Sequence, residues 1–302
     1  MPTLLPGRLP LDGAFPAGAP GLATRWLTLE DGERVRAVVA EPATSDGDAP
    51  VVLCVPGWGC SAYSFRHLLA PLAAEGARAV AVDLRGHGWS DKPLQVDAYT
   101  PASLAAWTLG VLDALAVPRA VLVGHSLGGM VALETALSAP DRVAGLVLVA
   151  PVGLSVVGRL RFLRQVTPAA LAPLLPRLAT RGAVRAGLVS SYGSGRRPTE
   201  RDVDEYWAPT ADPALALATR LIAHADDWRP ADPHRLAGVA CPVHVVLGER
   251  DNLIVAREVR PRVAAFPRGR CDVLAGVGHA PAEETPAPVL AAVRGVLRGA
   301  SG

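Results

Sequence analysis

Lysine is almost missing from this chain: Lys92 stands alone beside abundant arginine, alanine and proline. No dense basic run occurs, the Arg196-Arg197 pair reads as a solvated loop, and the formal net charge is only +2. No nucleic acid or other polyanionic partner is therefore expected. The four cysteines, Cys54, Cys60, Cys241 and Cys271, have neither C-x-x-C nor Cys/His ligand spacing. That argues against a metal site, and four are too few for a disulfide framework in a chain of 302 residues, so a reducing cytoplasm is the expected setting. The N-terminal stretch is rich in proline and glycine and lacks a basic segment followed by an apolar one, so it does not read as a signal peptide. The longest apolar stretch, 143–157, is broken by Gly145, Pro151 and Gly153 and is too short to span a bilayer.

What is present organises itself around Gly124-His125-Ser126-Leu127-Gly128-Gly129, placed between the apolar run 120–123 and a helical pattern beginning at Leu127. Gly-x-Ser-x-Gly in a strand-to-helix setting is a nucleophile elbow: the serine sits on a sharp turn, and the two glycines spare a Cβ where strand and helix crowd. The N–H groups of the following helix point at any negative charge developing beside Ser126.

Around that centre the chain alternates. Segments 23–30 and 33–41 flank Asp31-Gly32 as a hairpin. Strands are expected at 51–55, 77–82, 120–123, 143–149, 243–247 and 271–274, with helices at about 63–74, 101–116, 127–138, 255–265 and a last one ending near Arg298. This rhythm predicts a mostly parallel sheet covered by helices on both faces. Residues 1–22 read as a poorly ordered arm. At Pro151 the rhythm breaks, and 151–232 carries helical patterns interrupted by prolines and glycines, without a convincing strand. This insertion leaves the carboxyl end of a strand, where ligands bind in open α/β sheets, so a cap over a site is expected.

A serine hydroxyl needs a base, and the base an orienting acid. Of seven histidines, only His279 lies in a glycine-rich loop straight after a late strand at the edge that carries Ser126. Asp251 closes the loop after the strand 243–247, and Glu249 two residues earlier is the alternative acid. The strand ending at Val149-Ala150-Pro151 offers no carboxylate. The chain order Ser126, Asp251, His279 is that of α/β-hydrolases and not that of chymotrypsin or subtilisin.

On the elbow, Asp83 to Asp91 (Asp-Leu-Arg-Gly-His-Gly-Trp-Ser-Asp), Gly248 to Asp251 and Gly278-His279, residues 23–300 resemble an α/β-hydrolase fold protein, of the capped serine hydrolase (esterase or haloperoxidase-like) branch. The resemblance implies an eight-stranded, mostly parallel sheet, a core of 23–150 with 233–302, and a helical cap at 151–232. It also implies an oxyanion hole from the main-chain N–H groups of Trp58 and Leu127. Where many members carry His-Gly, this chain has Pro56-Gly57, which removes a side chain that usually braces the loop. Similar epoxide hydrolases and haloalkane dehalogenases place Asp at the elbow, because serine attacking a saturated carbon would leave an inert ether. Tyr192 and Tyr206 are accordingly not read as an epoxide-activating pair.

The expected activity is hydrolysis of an ester-type bond in a small, apolar substrate, without metal or organic cofactor. Trp58, Trp207 and Trp228 are candidate substrate-lining residues. The rivals are C–C bond hydrolysis, acyl transfer or perhydrolysis with the same triad, and a receptor or scaffold with little turnover.

Overall fold

The computed structural model describes residues 8–43, 49–155, 172, 174–226 and 228–300. Eight strands form one sheet: β1 (Leu22–Thr28), β2 (Arg34–Ala40), β3 (Val51–Val55), β4 (Arg78–Val82), β5 (Ala120–His125), β6 (Val143–Val149), β7 (Val243–Gly248) and β8 (Gly269–Leu274). Their spatial order is β1-β2-β4-β3-β5-β6-β7-β8. Only β2 runs against its neighbours; β4, β3, β5, β6, β7 and β8 pair in parallel.

The continuous apolar runs of β3, β5 and β6 are buried on both faces, as strands between two helical layers must be. Their side chains alternate. Leu53, Val55, Leu122, Leu146 and Leu148 enter one core, while Val52, Cys54, Val121, Val123, Val147 and Val149 enter the other. The first core is closed by α2 (Pro101–Ala114) and α3 (Leu127–Ser138), the second by α1 (Leu69–Ala74) and the C-terminal helix Pro286–Ala300.

Between β6 and β7 the described residues form helices and no strand: α4 (Leu175–Leu178), α5 (Arg181–Ser191), α6 (Glu200–Trp207), α7 (Pro213–Ala225) and α8 (Pro233–Ala237). Four of these begin at a side-chain cap. Thr180, Thr199, Asp212 and Asp232 each accept a backbone N–H from the first turn, a contact that contributes about 1 kcal/mol per helix. Beyond β7 lie α9 (Ala256–Val263), α10 (Pro281–Glu284) and α11 (Pro286–Ala300).

One expectation needs correction. The helix expected over 63–74 is divided into a 3-10 turn, Ala62–Phe65, and α1. Pro71 is the reason: it has no N–H, and its ring would press on the carbonyl four residues back, at His67. Within the arm at 1–22, of which residues 1–7 lie outside the described part, Ala14 and Phe15 are buried while Pro10, Leu11, Asp12, Ala17 and Gly18 are exposed. Phe15 is buried edge-on against Tyr63, its N–H donates to Glu205 (2.7 Å), and its carbonyl accepts from Arg36. Arg201 also donates to the Gly13 carbonyl (2.8 Å), and composition gives no sign of these contacts because their partners lie far away in the chain.

Candidate active site

β5 turns into α3 through Ser126, whose backbone stands at φ 53° and ψ −115°. A non-glycine residue in that region is strained and must be held. The Ser126 N–H donates to the Val149 carbonyl, and the Gly129 and Val152 N–H groups donate to the Ser126 carbonyl, each at 2.9 Å. Gly124 and Gly128 have no room for a side chain. A Cβ on the first would strike the backbone of Gly128, and one on the second the carbonyl of Val55.

The loops after β7 and β8 bring the other two groups to the serine. Ser126 Oγ lies 3.0 Å from His279 Nε2, and His279 Nδ1 lies 2.8 Å from Asp251 Oδ2. A carboxylate only accepts, so Nδ1 carries the proton and Nε2 of the neutral ring is free to accept from the serine hydroxyl. The second Asp251 oxygen accepts the N–H groups of Leu253 (2.8 Å) and Ile254 (2.9 Å). Burial by itself raises the Asp251 carboxyl. The His279 hydrogen bond and charge, joined by those two N–H groups, outweigh burial and hold it below the usual carboxylate range. Glu249 is exposed and accepts the Gly276 N–H instead (2.9 Å). His125 faces the backbone of the His279 loop, and buried His87 is bonded to the Arg85 carbonyl (3.0 Å).

The loop after β3 lies against the serine: a Cβ on Gly57 would stand 3.0 Å from Ser126 Cβ. Pro56 cannot brace this loop, and other contacts hold it. The Cys60 N–H donates to the Gly57 carbonyl (3.1 Å), the Ala62 N–H to Asp83 (2.8 Å), and the Trp58 indole N–H to the Thr219 carbonyl on α7 (3.1 Å). Among the described residues, neither the Trp58 nor the Leu127 main-chain N–H has an acceptor.

The three tryptophans fall in different places. Trp58 is 37% exposed beside the serine. Trp207 donates its indole N–H to the Ala179 carbonyl (3.1 Å) and carries the Arg8 guanidinium over its ring. Trp228 is 1% exposed, packed in the core, with its indole N–H on the Ala223 carbonyl (3.0 Å). The contacts of these last two are made away from the Ser-His-Asp relay. A cleft of about 1110 Å³ between the N-terminal arm, β1 and Trp89 likewise shares no residue with the relay.

Sequence reasoning missed a buried ionic cluster behind the site. Arg66 donates to Glu283 (2.7 Å) and Asp202 (2.9 Å); Tyr63 donates to Asp202 (2.8 Å); Tyr206 (2.6 Å) and Tyr192 (3.1 Å) donate to Glu283. These residues come from four separate segments, and no local pattern announces them. Among the described residues there is no group of three or more His, Cys, Asp or Glu side chains able to hold a metal ion, and no helix long and apolar enough to cross a membrane.

Residues 52–292 match the alpha/beta hydrolase family. An uncharacterised protein of Mycobacterium tuberculosis is 31% identical over 255 residues, covering 80% of this chain and 73% of that protein. Epoxide hydrolase A of the same species is 40% identical over 125 residues, 41% of this chain and 37% of that enzyme. Among solved structures, a probable hydrolytic enzyme from Pseudomonas aeruginosa superposes with a TM-score of 0.75 at 24% identity, over 92% of this chain and 95% of that one, a likeness of fold. The matched stretch includes the serine, the aspartate and the histidine, and the chain belongs to the alpha/beta hydrolase family.

Proposed function

We propose that the chain is a serine hydrolase that cleaves an ester-type bond of a small, apolar substrate through an acyl-enzyme. The observation that carries this reading is the unbroken Ser126–His279–Asp251 hydrogen-bond relay on a strained elbow. His279 Nε2 takes the Ser126 proton as Oγ attacks the acyl carbon, and Asp251 stabilises the imidazolium that forms. The charge that develops on the carbonyl oxygen is met by the N–H groups of Trp58 and Leu127, which have no other acceptor among the described residues. The imidazolium then protonates the leaving alcohol. Water, deprotonated by the same ring, attacks the acyl-enzyme, releasing the acid and restoring the Ser126 hydroxyl. The insertion 151–232, of which 156–171, 173 and 227 lie outside the described residues, serves as a cap that selects the substrate, a role supported by the contact of α7 with Trp58.

Epoxide hydrolysis is the less favoured chemistry. Serine would leave an ether on a saturated carbon, and the Tyr192 and Tyr206 hydroxyls are both given to Glu283 rather than to a substrate. A fluorophosphonate probe tests the reading. Labelling is expected at Ser126 and is lost in Ser126→Ala, with p-nitrophenyl esters of graded chain length turned over by the parent chain only. Unchanged labelling in the variant would place the nucleophile elsewhere. A parent chain that takes the label but barely turns over esters points to acyl transfer or C–C cleavage.

A further inference from the structure

The loop that carries His279 is held from the helical insertion as well as from the core. The His279 N–H donates to the Ser191 carbonyl at 2.7 Å. Beside it, the Glu284 carboxylate spans two segments: Oε1 accepts the Gly278 N–H (2.8 Å), and Oε2 accepts the N–H groups of Gly193 (2.9 Å) and Ser194 (2.8 Å). The two backbones touch, since a Cβ on Gly278 would collide with the Ser191 carbonyl and the Gly193 nitrogen. The acid's loop is tied to the same turn. Asn252 donates to the Ser190 carbonyl (3.0 Å) and Arg250 to the Gly193 carbonyl (3.1 Å).

We infer that Glu284 is a positioning residue for His279, stapling the histidine loop to the turn 190–194 so that the insertion sets the attitude of the imidazole. The inference rests on the serine-hydrolase reading above. Its physical basis is leverage. The Gly278 N–H belongs to the peptide group immediately before the one that leads into His279, and glycine leaves that segment free to rotate unless its N–H is held. Rotation there would carry Nε2 away from Oγ, and small displacements of a catalytic group cost rate steeply. One carboxylate with three backbone donors also satisfies N–H groups of both segments, which would otherwise lack a partner when the two pack together.

The adjacent Glu283 supplies the control. It fastens the same insertion through Arg66, Tyr192 and Tyr206 without touching the Gly278 N–H. Glu284→Ala, Glu284→Gln and Glu283→Gln are compared in the full chain, by turnover of p-nitrophenyl acetate, by the rate of fluorophosphonate labelling and by melting temperature. Glu284→Ala is expected to lower kcat and the labelling rate together by about 10- to 100-fold with KM little changed. Glu284→Gln, which retains one acceptor oxygen, falls between parent and alanine variant and carries the comparison if the alanine variant does not fold. Glu283→Gln lowers the melting temperature without that loss of kcat. A folded Glu284 variant that turns over and labels at the parent rate overturns the inference, as does an equal loss of kcat in Glu283→Gln. A parent chain that the probe leaves unlabelled at Ser126 overturns the serine-hydrolase reading and the inference with it.

Discussion

His125 Nε2 donates to the main-chain carbonyl of His279 at 2.7 Å, so the residue one step before Ser126 grips the loop that carries His279. A carbonyl only accepts, which fixes the proton on Nε2. Their rings lie 5.0 Å apart, inclined at 49°. His125→Phe keeps a ring of similar bulk and removes the donor, leaving the carbonyl unpaired at a cost of about 1–3 kcal/mol. A lowered urea midpoint and a reduced kcat on a small activated ester are expected; a variant equal to the parent in both would show that the bond is idle.

On the serine-hydrolase reading proposed above, Ser126, His279 and Asp251 act as a unit, so their losses cannot add. Ser126→Ala and His279→Ala each lower kcat by up to ~10⁶, Asp251→Ala by ~10⁴, and the Ser126/His279 double variant is little worse than either single one. Measured on one activated ester, additive losses would separate the groups. A silent Asp251→Ala beside a severe Glu249→Ala would transfer the acid's role to Glu249.

Stability is expected to fall on mild acidification. Burial pushes His87 and His125 down to about 4. The unfolded chain takes up protons as the pH drops through about 6.5, while the folded chain refuses them until about 4, so the unfolded state gains across that window. Each of these two buried histidines contributes a slope of about 1.4 kcal/mol per pH unit there and none above it. Urea midpoints at pH 7.5 and pH 5 measure the fall, and His87→Gln should flatten it by about one proton. Midpoints independent of pH across that range would contradict the assignment.

Two glycines make opposite forecasts. Gly128→Ala drives a Cβ into the Val55 carbonyl, where backbone cannot yield, and should cost about 3 kcal/mol or more. Gly187, inside α5, has nothing within 4 Å of its would-be Cβ. Gly187→Ala is expected to raise stability by about 0.5–1 kcal/mol. Thermal melts of both variants decide, and a stable Gly128→Ala would mean that the elbow relaxes.

The sheet and the relay were legible in the sequence because their determinants are local. Apolar runs such as 51–55 and 143–149 reveal strands buried on both faces, and they recur at the same residues in β3 and β6. Gly124 and Gly128 around Ser126 reveal a turn where backbones meet, and Asp251 and His279 follow late strands at the edge the serine occupies. What depended on long-range packing stayed hidden. Phe15 anchors its arm through Tyr63, Glu205 and Arg36, none of which its own neighbourhood suggests. Glu283 and Glu284 are neighbouring acidic residues of α10, and nothing in their local sequence tells one from the other. Successive side chains on a helix point in different directions, so one enters the Arg66 cluster while the other reaches Gly278, Gly193 and Ser194. Which partner each meets was decided only when the turn 190–194 came to rest on the histidine loop, some 90 residues away in the chain.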